Sequence, residues 1–276
     1  MLDTYNNLQP ISEEQNKEVQ LNILKYFDKF CRDNGIQYFL TDGTLLGAIR
    51  HHGYIPWDDD IDVRVPRPQY NQLKDLFEKY SEGDHYALVT PEDDIAQHYM
   101  IKIYDTRTVK IEPYLNYKNG YLGIDIDVFP IEGSPENIDE FYKWGKTLRG
   151  YNRAFLYKKR CIKRSIMSFT KDYICGRAHA KLCIGMSSKQ IADKILEISG
   201  KYRFGEGNYS GFIGCGELFR VPSTCFSDVV DVEFEGTFFK APIGYDAFLT
   251  AQYGDYMQLP PKEKQITHHT NNVFWK

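Results

Sequence analysis

The sequence predicts an α+β fold in which amphipathic helices and short strands follow one another along the chain. Residues 12–34 carry apolar side chains at helical spacing behind a Ser-x-x-Gln capping box. Residues 58–63 and 122–131 alternate polar and apolar side chains, as half-buried strands do. Residues 229–240 form two strand-like runs around a Glu-Gly pair, which is typical of a hairpin.

The remaining elements follow from the same periodicities and from signals at their ends. Ser134 followed by Pro135 predicts the start of a helix, and Gly200 predicts the end of another. The glycine-rich and aromatic residues 204–212 are predicted to form a loop. The predicted helices are 12–34, 45–50, 69–80, one from residue 134, 188–199 and one from residue 245. The predicted strands are 36–40, 58–63, 86–90, 99–104, 109–111, 122–131, 229–234 and 237–240.

The composition narrows the class of protein. The 276 residues suffice for one large or two small domains, and 42% hydrophobic residues suffice for a packed core. A formal net charge of −4 gives no electrostatic reason to expect a nucleic-acid partner. The six cysteines lack C-x-x-C pairs, which indicates reduced thiols. With a polar N-terminus and no apolar run of about 18 residues, we expect a cytoplasmic protein without a signal peptide.

One acidic stretch carries the chemistry. Four carboxylates fall within five residues, those of Asp58, Asp59, Asp60 and Asp62. On a strand, Asp59 would face one side of the sheet and the other three the opposite side. At roughly 6–7 Å, each pair on the shared face repels by about 2–3 kcal/mol. A hard divalent cation such as Mg²⁺ would offset this repulsion and would also bind substrate phosphates.

The residues before this stretch predict a phosphate-binding turn. Gly43 and Thr44 follow the apolar run 38–40 and open the short predicted helix. A helix N-terminus offers free backbone N–H groups and the positive end of the helix dipole to an anion. We therefore expect a phosphate site beside a metal-binding carboxylate set. An acidic surface loop with no ligand is the alternative.

A second acidic strand is predicted at 122–131. Asp125 and Asp127 share one face of it, and apolar side chains occupy the other. Carboxylates within such an apolar run are costly unless they meet a cation. Beside the first acidic strand, this strand would complete a carboxylate set. A solvated edge strand is the alternative.

Two further features each have two interpretations. Lys102, inside a predicted strand, is either an edge-strand lysine or a phosphate contact. Residues 143–181 hold twelve basic residues and a single acid, Asp172. They form either a solvated helical face or a surface for anionic lipid or a phosphate-rich acceptor, which would place the protein at the inner face of a membrane.

The chain resembles the LicD family, which contains bacterial phosphocholine transferases and resembles the fukutin-related transferases of animals. The motifs that carry the resemblance run in matching order along the chain. They are Gly-Thr-Leu-Leu-Gly-Ala-Ile-Arg at 43–50, Pro-Trp-Asp-Asp-Asp-Ile-Asp at 56–62, Ile-Asp-Val-Phe-Pro at 126–130, Tyr-Gly-Asp-Tyr-Met-Gln-Leu-Pro-Pro at 253–261, and His268 with His269.

The resemblance implies a nucleotidyltransferase-like fold of the DNA polymerase β kind, with a mixed sheet flanked by helices and an inserted helical region. We expect residues 1–135 to form the catalytic core. Residues 136–225 are expected to form a mostly helical, basic insertion. Residues 226–276 are expected to complete the core with a hairpin, a helix and a tail.

The resemblance also implies a metal-dependent phosphotransferase. The expected donor is CDP-choline, and the expected acceptor is a hydroxyl of a cell-surface glycan, such as a teichoic acid or polysaccharide, or of its lipid-linked precursor. The expected cofactor is Mg²⁺, with Mn²⁺ as a substitute. Alternatives are CDP-ribitol or CDP-glycerol as donor, nucleotidyl transfer, and a non-catalytic nucleotide-binding protein.

The resemblance implies roles for particular residues. The family's carboxylate triad maps onto Asp60, Asp62 and Asp127 as catalytic and metal-binding residues. Asp125 stands beside the third position as a further candidate ligand. The candidates for contacts with the donor are Gly43, Thr44, Arg50, Arg67, Lys102 and His268.

Overall fold

The computed structural model describes residues 8–81, 83–112, 120–159, 183–213, 218–267 and 272–276. Its helices are α1 (Glu13–Asp33), α2 (Asp42–His51), α3 (Arg67–Tyr70), α4 (Leu73–Tyr80), α5 (Ile138–Lys159), α6 (Ser188–Ser199) and α7 (Tyr245–Tyr253). Its strands are β1 (Gln9–Pro10), β2 (Phe39–Leu40), β3 (Asp62–Pro66), β4 (Tyr86–Val89), β5 (Ile101–Asp105), β6 (Thr108–Ile111), β7 (Asp125–Gly133), β8 (Tyr209–Ile213), β9 (Leu218–Pro222), β10 (Val229–Phe234), β11 (Thr237–Pro242) and β12 (Asn272–Trp275). The mixture of helices and strands confirms the α+β prediction.

A seven-stranded mixed sheet lies at the centre of the molecule. Its main path runs β2-β3-β7-β5-β4, and β8 and β9 extend it from the end of β7. Strands β3 and β7 are parallel, whereas β2 with β3, β5 with β7 and β4 with β5 pair in antiparallel fashion. The two strands predicted to be acidic are therefore neighbours at the centre of the sheet.

The two faces of this sheet have different coverings. On one face, apolar side chains of the central strands, such as Val63 and Val128, join α1 residues such as Phe27 in one buried core. On the opposite face, α5 and α6 pack on each other around Trp144 and Ile191 and form a second buried cluster. Because alternate residues of a strand point to opposite faces, Asp62 and Asp127 lie on the face away from α1.

Three predictions that rest on local signals are confirmed. Helix α1 begins behind Ser12, whose hydroxyl accepts a hydrogen bond from the Gln15 N–H in a capping box. Helix α6 ends with Gly200 as its C-cap. The hairpin of β10 and β11 turns at Glu235 and Gly236, with φ of 51° and 69°. Each of these features depends on residues within a few positions of one another.

The prediction of a strand at 58–63 is wrong for its first residues. The Asp58 N–H donates to the Ile55 carbonyl at 2.8 Å, which closes a turn, and β3 begins only at Asp62. The neighbouring strand β2 pairs with Val63 and Arg64 alone, and β7 pairs with no residue before Asp62. Asp58, Asp59 and Asp60 lie on a loop that leads into the strand.

Two further predictions are wrong. The fourth helix of the prediction begins at Ile138, because the Asn137 side chain, and not Ser134, accepts the first free N–H groups of α5. Residues 209–212, predicted as part of a loop, belong to β8, which pairs with β7 and β9. The strand β8 contains Gly211, where a Cβ would approach the rings of Phe141 and Trp144 to 3.0 Å. A glycine at this position therefore allows β8 to pack close to α5.

The predicted domain limits are not tested by the fold, although β8 ties the predicted insertion to the main sheet. Part of the basic segment, residues 160–182, lies outside the described residues. In the described parts of the chain, no helix is both long and apolar enough to cross a membrane.

Candidate active site

The pairing of β3 with β7 brings two predicted site residues together. Asp62 lies directly opposite Asp127 in the parallel pair. The Asp127 N–H donates to the Ile61 carbonyl at 2.9 Å, which fixes this register. Lys102 lies opposite Asp127 on the other side, across the antiparallel pair of β5 and β7. Two carboxylates and an ammonium group therefore lie in one row across the sheet, on a single face. We call this row, formed by Asp62, Asp127 and Lys102, the acidic layer.

The loop before β3 contributes further carboxylates. In Asp58, Asp59 and Asp60, one carboxylate oxygen of each residue lies within 4.8 Å of the others. The expectation that Asp59 faces the opposite side is wrong, because the strand alternation on which it rests begins only at Asp62. Three oxygen donors of this kind lie close enough together to bind a single cation.

The carboxylates of both segments influence Asp62. Burial and the nearby charges of Asp60, Asp42, Asp127 and Asp58 raise the pKa of Asp62 well above its usual range. These four charges all oppose ionisation, so the ionised site is under electrostatic repulsion. Oxygen donors held close together against their repulsion fit a hard divalent cation such as Mg²⁺ or Mn²⁺.

Helix α2 positions this acidic site through its first turn. The Thr44 hydroxyl accepts a hydrogen bond from the Asp62 N–H at 2.8 Å, and Thr44 itself is buried. A Cβ on Gly43 would lie 2.3 Å from Oδ2 of Asp58, so a larger residue there would displace the Asp58 carboxylate. The predicted phosphate-binding turn thus lies against the acidic residues and holds the start of β3 in place.

Asp125 lies in a different electrostatic environment from Asp62. The Lys102 Nζ lies 3.2 Å from one Asp125 oxygen, and the Lys110 Nζ lies 2.8 Å from the other. Burial raises the pKa of the Asp125 carboxyl, but the two ammonium groups outweigh this and leave that pKa below its usual value. Lys102 also contacts Asp127. Two lysines therefore neutralise Asp125, and one of them fixes the orientation of Asp127.

A buried ion pair that the sequence did not reveal supports the same site. The Arg64 guanidinium donates to Asp42 Oδ2 at 3.0 Å and to the Thr41 hydroxyl at 2.9 Å. Asp42 has a φ of 48°, a strained value for a residue with a side chain, and Gln252 donates to its other oxygen at 2.5 Å. The available signal was the spacing: Arg64 follows Asp62 by two positions and so shares its face.

Three of the proposed donor contacts lie elsewhere or outside the described residues. Arg50 is at the far end of α2, where it donates to the Tyr256 carbonyl at 2.7 Å. Arg67 follows the opposite end of β3 and forms a buried pair with Glu132. His268 lies outside the described residues. For Arg50 and Arg67 the structure gives structural partners, and their contacts with a donor stay predictions.

Comparison with known proteins finds a family model and relatives that match the chain. The family model described as LicD/FKTN/FKRP, nucleotidyltransferase domain, matches residues 35–167, which include α2, β3 and β7. The lipopolysaccharide cholinephosphotransferase LicD of Haemophilus influenzae is 33% identical over 262 residues, covering 93% of this chain and 95% of its own length.

Shorter matches reach eukaryotic proteins. The human ribitol 5-phosphate transferase FKRP is 52% identical over 31 residues, which cover 11% of this chain and 6% of that protein. The mannosyltransferase regulator 4 of Saccharomyces cerevisiae is 30% identical over 119 residues, or 43% of this chain and 9% of that protein.

The site and these comparisons define an enzyme of the phosphotransferase class. Within that class, the chain belongs to the LicD family.

Proposed function

We propose that this enzyme transfers a phospho-alcohol, phosphocholine from CDP-choline, to a hydroxyl of a cell-surface glycan or its lipid-linked precursor. The proposal rests above all on the layer in which Asp62 and Asp127 face each other beside the acidic loop. The similarity to a lipopolysaccharide cholinephosphotransferase over 93% of the chain supports the choice of phospho-alcohol and acceptor. The proposed architecture is a nucleotidyltransferase fold of the DNA polymerase β kind.

In this reaction, an acceptor oxygen attacks the phosphorus that carries the alcohol. The new P–O bond forms as the bond to the CMP phosphate breaks, and CMP leaves. Asp127 takes the hydroxyl proton or orients the hydroxyl for attack. Lys102 holds Asp127 in position, and Thr44 holds the backbone of Asp62.

Asp60, Asp62 and Asp127 would hold the divalent cation, which we propose to be Mg²⁺, with Mn²⁺ as a substitute. When bound, it would supply positive charge to the diphosphate of the donor. Asp58 and Asp59 lie close enough to Asp60 to share this task. Asp125 is assigned a different task, since both its oxygens lie near lysines: it holds Lys102 beside the site.

The donor is tested by a panel of CDP-choline, CDP-ribitol and CDP-glycerol. Thermal shift with and without Mg²⁺ reports binding, because a ligand at 100 times its dissociation constant stabilises the native state by about 2.7 kcal/mol. With an acceptor glycan present, the expected products are free CMP and a phosphocholine-bearing acceptor. CMP attached to the acceptor, together with free phosphocholine, would instead indicate nucleotidyl transfer and would contradict the proposal.

CDP-ribitol is the second candidate donor. The match to ribitol 5-phosphate transferase FKRP favours it, with 52% identity over 31 residues. A larger thermal shift with CDP-ribitol than with CDP-choline, together with ribitol phosphate on the product, would replace choline by ribitol and leave the reaction class unchanged.

A further inference from the structure

The face of the sheet that carries the acidic layer continues into a small, partly open cavity. Two residues beyond Asp62 and Asp127, on the same face, Arg64 and Phe129 line a cavity of about 90 Å³. Side chains two apart on a strand are separated by roughly 6–7 Å. Trp144 from α5 and Ile195 from α6 form the other side of this cavity. The cavity therefore begins one layer away from the carboxylates.

This cavity opens toward a larger cleft at the molecular surface. The cleft has a volume of about 700 Å³, which is within the usual range for a small-molecule site. Arg67, Tyr70 and Leu196 line both spaces, so cleft and cavity adjoin. The cleft runs between α3 with the start of α4 on one side and residues 200–206 on the other.

One polar group in the cavity lacks a partner. Asn152 of α5 lines the cavity and is 6% exposed. Among the described residues, none donates a hydrogen bond to its Oδ1 atom. A buried carbonyl oxygen without a partner is costly, so a ligand that brings an O–H or N–H group would be stabilised there.

The chemistry of the cleft favours an uncharged, hydroxyl-rich ligand. Two half-buried aromatic side chains in its lining, those of Tyr202 and Phe204, offer flat apolar surfaces, whereas Tyr70 is buried beneath the Arg67 guanidinium. The charged side chains that line the cleft balance, with three cations and three anions: Arg67, Lys74, Arg203, Asp75, Glu92 and Glu206. All three cations have carboxylate partners, at 2.7 Å for Lys74 with Asp93 and 3.3 Å for Arg203 with Glu206. A balanced lining gives no net attraction to a phosphate or to a quaternary ammonium group.

We infer that this cleft and its cavity bind the saccharide of the acceptor and lead its hydroxyl toward the carboxylates. The inference rests on the proposed transfer to a glycan and adds the place where that glycan binds. Asp75 and Arg203, on opposite sides of the cleft, are then acceptor-binding residues. The helices α5 and α6, which enclose the cavity, contribute to acceptor specificity rather than to donor binding.

The test is saturation-transfer NMR of the full chain with three probes: methyl β-D-galactoside, methyl α-D-glucoside and methyl β-D-N-acetylglucosaminide. Asp75→Trp fills the cleft from α4. Glu78→Trp is the matched control, because Glu78 is exposed on the same helix one turn farther along and does not line the cleft. Arg203→Trp, in the exposed segment on the other side, gives a second variant should Asp75→Trp fail to fold.

The expected result is that at least one glycoside binds the wild-type chain and the control, and binds a cleft variant at least tenfold more weakly. Absence of binding to the wild-type chain, or equal binding by the folded cleft variants, would overturn the inference. Displacement of the glycoside by CDP-choline from the wild-type chain would also overturn it, since the cleft would then hold the donor. CMP release from the donor panel tests the proposed function separately, so either can fail alone.

Discussion

The segments Asp60-Ile61-Asp62 and Asp125-Ile126-Asp127 have the same spacing, yet the fold gives their carboxylates opposite surroundings. Around Asp62, the charges with the largest effects are all carboxylates, and they raise its pKa. Around Asp125, two lysines lie within 3.2 Å and lower the pKa that burial would raise. Under the proposed function, the first segment would take its cation from solution, whereas the chain itself supplies cations to the second.

This comparison teaches that an Asp-x-Asp spacing alone does not identify metal ligands. What distinguishes the two segments is the neighbouring strand: β5 brings Lys102 to the layer of Asp127, and β6 carries Lys110 to Asp125. Asp127 lies between the two environments, opposite Asp62 and in contact with Lys102. Substitutions in and beside each segment test whether the two segments differ in function as they do in electrostatic surroundings.

The largest effect is expected from Asp60→Asn in the loop before β3. Transfer should fall by about 1,000-fold, because a bound cation that has lost one carboxylate ligand would be misplaced and would give the transition state several kcal/mol less charge stabilisation. The measurement is CMP release with saturating Mg²⁺ and donor. Asp231→Asn, which changes an exposed acid of the hairpin, is the control and should retain full activity. A rate near that of the wild type would rule out Asp60 as a ligand.

The second segment should respond in stability. Lys102→Met removes a buried ammonium group, 4% exposed, from between Asp125 and Asp127, and should lower the free energy of unfolding by about 3 kcal/mol. Urea denaturation measures this change. Lys29→Met, which breaks the exposed Lys29–Asp33 pair of α1, should lower it by less than about 0.5 kcal/mol. Equal effects of the two variants would show that the buried network does not stabilise the fold.

A smaller loss of stability is expected from Thr44→Val. The substitution leaves the Asp62 N–H without its acceptor, which should lower the free energy of unfolding by about 1–3 kcal/mol. Thr147→Val on the exposed side of α5 is the control, because the hydroxyl of Thr147 can be replaced by water. We further expect slower transfer only in Thr44→Val; unchanged transfer would mean that Thr44 does not position Asp62 for the reaction.

The smallest effect is a pH dependence of the metal-free protein. Because the pKa of Asp62 is raised in the folded state, wild-type stability falls as the pH rises from about 4 through that raised pKa. Asp62→Asn removes the titrating group. Its stability relative to the wild type should therefore grow over this interval and then level off at higher pH. Thermal unfolding in a chelating buffer from pH 4 to pH 8 measures the difference, and a constant difference would contradict the assigned repulsion.

The sequence predicted the features that depend on nearby residues. The capping box at Ser12, the end of α6 at Gly200 and the turn at Gly236 each arise from a few adjacent side chains. The adjacency of the acidic strands was also predicted, because carboxylates within apolar runs are costly unless they meet a cation.

The features that depend on distant contacts were not predictable. The residues Asp58, Asp59 and Asp60 form a loop because neither β2 nor β7 pairs with a residue before Asp62. The strand β8 forms because β7 offers a free edge and Gly211 fits against α5. Lys110 lies fifteen residues from Asp125, and no local pattern joined them. The sequence therefore identified the carboxylates of the site. It did not show which of them pair with lysines and which are left as candidates for a metal ion.

The most direct test of the central claim is Mn²⁺ binding in the presence of CDP-choline, followed by the loss of the free-ion signal in electron paramagnetic resonance. We expect the wild-type chain and the Asp231→Asn control to bind Mn²⁺ alike, and Asp62→Asn to bind it at least tenfold more weakly. Equal titrations for Asp62→Asn and the wild type, or no binding by either, would contradict a metal site built on the two acidic segments.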